Sequence, residues 1–244
     1  MEDRLVFIGG DTTAGKSFSL RGIKNPSKTL YLACEGKGLP FSFPKGTEKF
    51  KTLKVTDPYQ VPQAIKQIAN DPSVDTVVID TIDYLMNMFQ AKYVEGVDGF
   101  SGWAAYKAYI MELFLQTIPN TTGKTFLVLA HTKFKYSDSA QAFEAKIPVK
   151  GAVEKEGGLE GYTNCLVMAK VVDIDTLKKF PNKYLTITEE EEEDGYKYVF
   201  QTRKTKETKA EQIRSIHGMF ERNELYIDNN AQHLIDALDE LYAE

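Results

Sequence analysis

The chain has 244 residues, 42% hydrophobic and 27% charged, with a formal net charge of −5. That is ordinary for a soluble globular protein and enough to bury a large core in one α/β domain, while the acidic balance gives no global support for nucleic-acid binding. No run of roughly 18 apolar residues is present and Met1-Glu2-Asp3-Arg4 does not open a secretory signal, so a cytoplasmic protein without membrane contact is expected.

Leu5-Val6-Phe7-Ile8 is a short apolar run of buried-strand type within residues 4–9. Residues 10–17 then match G-x-x-x-x-G-K-[ST], the phosphate-binding loop, and Phe18-Ser19-Leu20-Arg21 can open a short helix. Such a loop wraps a polyphosphate with successive backbone N–H groups, and a helix dipole favours the negative charge. The nucleotide-binding residues are therefore Gly10, Asp11, Thr12, Thr13, Ala14, Gly15, Lys16, Ser17 and Phe18. Lys16 would reach the β- and γ-phosphates, and the Ser17 hydroxyl would ligate Mg²⁺.

Thr29 to Cys34 is a second buried strand, ending at Glu35-Gly36-Lys37-Gly38. Phe50 to Thr56 is a third, and Asp57-Pro58 starts a helix with Val61, Ala64, Ile65 and Ile68 on one face. Thr76 to Asp80 is β-branched and apolar with an acid at its end. Residues 87–102 look loose, with Gly96, Gly99 and Gly102, and Trp103 to Thr117 then repeats at helical spacing. Thr125 to Ala130 is another buried strand, ending at His131.

Residues 134–161 show no clear periodicity. Strand-like runs follow at 162–174, 183–188 and 197–203, and an amphipathic helix closes the chain over about 229–242. Cys34 and Cys165 sit in apolar runs and read as reduced core residues. Strands alternating with helices early and consecutive strands late imply a mostly parallel central sheet with an antiparallel extension on the C-terminal side. One domain is expected over 1–244: a nucleotide-binding core at 1–135, a long loop at 136–161, and C-terminal strands and helix at 162–244.

In an open parallel sheet ligands bind at the carboxyl ends of the strands. Asp80 ends a strand of Walker B type and would hold Mg²⁺ opposite Ser17, with Thr81 or Asp83 as a supporting partner; the bland alternative is a helix-capping Asp. Glu35 would polarise the water that attacks the γ-phosphate, or is a solvated loop carboxylate. His131 would sense the γ-phosphate, or is a strand-end His satisfied by backbone. Arg203-Lys204-Thr205-Lys206 would supply positive charge to a neighbouring subunit's phosphates, or is a solvated basic strand end.

The order of phosphate loop, Glu35, Asp80 and His131 before a long loop resembles the RecA-like ATPase fold. The pieces GGDTTAGKS, YLACEGKG, VVIDTID, GWAAYKAYI and LVLAHTK look more narrowly like the phage RecA-like ATPases of single-strand annealing and recombination. The resemblance covers residues 4–135, and less specifically the tail IRSIHGMF to IDNNAQHLIDAL. It implies an ATP- and Mg²⁺-dependent enzyme acting on single-stranded DNA. It also implies a homo-oligomeric ring or filament with nucleotide at subunit interfaces, and a single-strand-binding protein as partner.

Under that resemblance Glu35 is the catalytic glutamate, His131 the γ-phosphate sensor, and Lys204 and Lys206 the paired basic residues inserted into the adjacent subunit's site. The loops at about 87–102 and 134–161 would bind DNA. The second carries Lys133, Lys135, Lys146, Lys150 and Lys155 among Phe134, Tyr136 and Phe143, a mixture suited to phosphate contact and base stacking. Asp138, Glu144, Glu154, Glu156 and Glu160 dilute its charge. A ring translocase or helicase component and a nucleotide-dependent adaptor with a protein partner are the competing functions. No separate oligomerisation or DNA-gathering domain of the kind that larger recombinases carry is visible in the sequence.

Overall fold

The computed structural model describes residues 2–97, 99–137, 142–155 and 157–243, with the side chains of 135, 137, 142, 143 and 155 also outside the description. The strands, in chain order, are β1 (Leu5–Gly10), β2 (Thr29–Ala33), β3 (Lys51–Lys54), β4 (Thr76–Asp80), β5 (Thr125–His131), β6 (Lys133–Ser137), β7 (Ala142–Lys146), β8 (Cys165–Asp173), β9 (Tyr196–Gln201) and β10 (Tyr226–Asp228). The helices are α1 (Gln60–Ile68), α2 (Ile82–Tyr93), α3 (Ser101–Glu112), α4 (Ala152–Lys155), α5 (Ile174–Leu177), α6 (Glu189–Asp194) and α7 (Ala231–Leu241).

Eight strands form one sheet in the order β10-β9-β8-β1-β5-β4-β2-β3. From β8 to β3 every neighbouring pair is parallel, whereas β9 runs antiparallel to β8 and β10 antiparallel to β9. The fold is thus the expected α/β arrangement, mostly parallel with an antiparallel extension on the C-terminal side.

Covering both faces explains why the central strands are continuous apolar runs rather than alternating ones. Phe7, Leu32, Val77, Ile79, Phe126 and Val128 point to one face and pack on α1, α2 and α3 through Ile65, Leu85, Phe89 and Ile110. Val6, Ile8, Val78, Leu127 and Leu129 point to the other, against Leu20 and the Leu234 and Leu238 stripe of α7. Each such fully buried side chain contributes roughly 1.5–3 kcal/mol over leaving it exposed. Cys34 and Cys165 are buried and unpaired. Among the described residues no helix is long and apolar enough to cross a membrane.

Several elements differ from the sequence expectations. The stretch 87–102 is not a loop. Residues 82–93 are α2, whose Ile82, Leu85, Met86 and Phe89 are buried at helical spacing, and only 94–100 connects it to α3. Nor is 134–161 structureless. The antiparallel pair β6 and β7 forms its own two-stranded sheet, with Lys133 opposite Lys146 and Tyr136 opposite Phe143, followed by α4 and a 3₁₀ turn at Leu159–Tyr162.

The segment 183–188 is not a strand, and it leads into α6, where Thr188 and Glu191 form a reciprocal capping box. The helix after the phosphate loop is only a 3₁₀ segment, Ser17–Gly22. A helix dipole therefore contributes little there.

Candidate functional site

The parallel strands β1, β2, β4 and β5 end at one edge of the sheet, and each delivers a polar group there. Following β1, the loop turns on two glycines. Gly15 has φ +82°, in the left-handed region that glycine adopts without a Cβ penalty. A Cβ on Gly10 would lie 2.9 Å from the Ala169 carbonyl oxygen of β8, so the neighbouring backbone enforces glycine. The loop is anchored from outside by Asn229, whose Nδ2 donates to the Ala14 carbonyl at 3.3 Å.

Lys16 is almost completely buried, at 4% exposure. Its Nζ donates to the Gly10 carbonyl at 3.0 Å and the Asp11 carbonyl at 2.7 Å. Burial pushes its ammonium down to about 8, against the opposing pull of Asp83, Asp80, Asp11 and Glu35. The lysine is thus folded back on its own loop, its ammonium held by two backbone carbonyl oxygens.

Asp80 ends β4 with the following peptide bond cis, and its side chain is buried. Ser17 Oγ donates to Asp80 Oδ1 at 3.2 Å, and Tyr31 Oη, from the neighbouring strand β2, donates to Oδ2 at 2.8 Å. Burial pushes the Asp80 carboxyl up, and the hydrogen bonds from Tyr31 and Ser17 oppose that.

The donor set fits Mg²⁺. It offers two hard oxygens on facing elements, with room for phosphate and water oxygens to complete an octahedron, the usual way this ion is held. Among the described residues no group of three or more His, Cys, Asp or Glu could hold a metal ion.

Glu35 follows β2, its side chain 8% exposed, and pairs with Lys37 at 2.8 Å. His131 ends β5. Its Nδ1 lies 2.9 Å from Asp83 Oδ2, and its backbone N–H donates to Asp83 Oδ1 at 3.0 Å. Thr12, Lys16, Ser17, Glu35, Lys37 and His131 line one cavity of about 430 Å³, with Phe18 at its rim under the Arg21 guanidinium, 3.9 Å from the ring centroid. Groups from three separate strand ends thus face one space sized for a polyphosphate.

Lys204 and Lys206 do not join this cavity within the chain. They are exposed in the turn after β9, where Lys204 Nζ donates to the Lys209 carbonyl at 3.3 Å. Lys133, Lys146 and Lys150 are exposed on or just beyond the β6–β7 hairpin, Lys146 pairing with Glu144 at 2.7 Å. Phe134 and Tyr136 are exposed on the same hairpin. The side chains of Lys135, Phe143 and Lys155, and residues Asp138 and Glu156, lie outside the described residues.

Sequence reasoning missed Tyr31, Lys37 and Asn229 altogether. It left Asp83 as a generic partner of the metal carboxylate, whereas Asp83 holds His131. The chain matches no protein-family model and no curated protein.

Proposed function

We propose that this chain is a Mg²⁺-dependent ATPase of RecA-like type that works on single-stranded DNA as a homo-oligomer. One observation carries the ATPase part: the phosphate-loop lysine, Glu35 and His131 line the same cavity, with Asp80 directly behind Ser17. On ATP binding Lys16 exchanges the Gly10 and Asp11 carbonyls for the β- and γ-phosphate oxygens, and the loop N–H groups are free to bind the rest of the chain. Mg²⁺ held by Ser17 and Asp80 would neutralise charge on the β- and γ-phosphates. Glu35 orients a water for in-line attack on the γ-phosphorus. The bond to the bridging oxygen breaks, and ADP and phosphate leave.

The hairpin of β6 and β7 supports the DNA part. It begins two residues beyond His131, after Thr132, and presents Lys133, Phe134 and Tyr136 to solvent. A charged and aromatic ribbon joined to the phosphate-facing histidine suits a single strand whose binding is tied to the state of the nucleotide. Lys204 and Lys206, exposed and away from their own cavity, suit delivery to a neighbouring copy.

The Glu35–Lys37 ion pair favours a second reading, a nucleotide-dependent switch with slow turnover, because the carboxylate that would orient water is already engaged. Calorimetric titration of MgATP against the wild type and Lys16→Ala tests the part common to both. Tight binding lost in the variant is expected. Equal binding by the two proteins would remove the phosphate-loop assignment.

A further inference from the structure

His131 is held from behind by a single carboxylate. Asp83, in the first turn of α2, is buried and bonds both the backbone N–H and the ring Nδ1 of His131. Burial pushes the Asp83 carboxyl up, but the hydrogen bonds from the His131 ring and backbone outweigh it and hold the group below the usual carboxylate range. An ionised carboxylate only accepts, so the Nδ1 atom facing it carries a proton. That fixes the tautomer. With Nδ1 engaged, the ring nitrogen left for a ligand in the cavity is Nε2, and in the neutral ring Nε2 is a bare lone pair. A lone pair facing a phosphate oxygen repels it.

We propose that His131 reads the terminal phosphate only as an imidazolium, with Asp83 as the positioning residue that orients the ring and stabilises its charge, so that triphosphate binding takes up a proton that diphosphate binding does not.

This rests on the nucleotide-site reading above. The other charged and titratable groups that share the His131 cavity or face the ring are Lys16 of the phosphate loop, Glu35 and Lys37 after β2, and Tyr84 with its ring centroid 6.0 Å away, with Lys133 two residues along the chain. Of these, Glu35 and Lys37 are paired with each other at 2.8 Å. A bound triphosphate adds negative charge on the open side, which draws the proton on.

The test is the ratio of ADP to ATP dissociation constants, with Mg²⁺ and under conditions too cold for turnover, from about pH 5.5 to about pH 8.5. It compares the wild type, His131→Gln and Asp83→Asn, with circular dichroism confirming that each is folded. In the wild type the preference for ATP should fall as pH rises through the imidazole range, approaching about tenfold per pH unit above the midpoint. His131→Gln donates a hydrogen bond at any pH, so it should retain the preference and lose that slope. The nucleotide's own ionisation is common to both proteins and cancels in the comparison. Asp83→Asn keeps the backbone N–H on its amide oxygen and turns an amide N–H toward Nδ1, which moves the neutral ring's proton to Nε2. This variant should therefore retain the preference and lose the slope.

A wild-type profile that parallels that of His131→Gln, or an ATP preference that grows with pH, overturns the proposal and leaves the phosphate-loop reading intact. ATP binding that is indifferent to Lys16→Ala overturns both.

Discussion

Tyr31 Oη donates to Asp80 Oδ2 at 2.8 Å, leaving the other oxygen of the same carboxylate to Ser17. One strand thus aims the acid of the next at the phosphate loop. Tyr31→Phe removes a hydrogen bond to a buried charged group, a loss of roughly 1.5 kcal/mol or more, and leaves Asp80 free to rotate. The Mg²⁺ concentration needed for half-maximal hydrolysis should rise about tenfold, with thermal stability lowered as well. An unchanged Mg²⁺ requirement would show that Tyr31 plays no part in holding the ion.

Glu35 is the residue on which the two functional readings divide. Glu35→Gln should retain MgATP binding and lower turnover by about 100-fold or more, the usual scale for removing a group that moves or orients a proton. Lys37→Ala, which frees the Glu35 carboxylate, should raise turnover. Turnover indifferent to Glu35→Gln would favour the nucleotide switch.

Lys204 and Lys206 lie outside the cavity of their own chain. The double substitution to alanine should leave nucleotide affinity unchanged while turnover falls on the order of 10³-fold, the range seen when a positive group delivered in trans is removed. Retained turnover would remove the trans-acting assignment.

Gly10 tests the loop's geometry without touching its chemistry. Gly10→Ala places a methyl 2.9 Å from the Ala169 carbonyl oxygen and 3.2 Å from the Ala14 Cβ. Neither neighbour has a flexible end to move. A loss of about 1–3 kcal/mol in urea unfolding is expected, with MgATP binding weakened in the same protein. A protein of wild-type stability would show that β8 can move away from the loop.

The phosphate loop and the strands before Asp80 and His131 were legible in the sequence because buried parallel strands are unbroken apolar runs. The Gly-rich loop likewise declares itself by spacing. Tyr31 was not legible, since its contact with Asp80 exists only once β2 lies beside β4, an order that no local pattern encodes. The Asp83–His131 clasp spans 48 residues and has the same origin. Helix α2 was masked by the Gly96, Gly99 and Gly102 stretch that follows it, although Ile82, Leu85, Met86 and Phe89 form its apolar stripe. Strand β6 alternates lysine with aromatics rather than polar with buried residues, so it lacked the apolar period that marks a strand packed on a core. At three residues, β10 is too short to carry a period at all.

The most direct test of the whole account is the steady-state rate of phosphate release from MgATP, with and without single-stranded DNA, in the wild type and Lys16→Ala. The account predicts hydrolysis that the single strand stimulates strongly and that Lys16→Ala abolishes in both conditions. Hydrolysis that depends on Lys16 but ignores DNA would contradict the DNA-directed role and move the hairpin to a protein partner. No hydrolysis in either condition would contradict the ATPase itself.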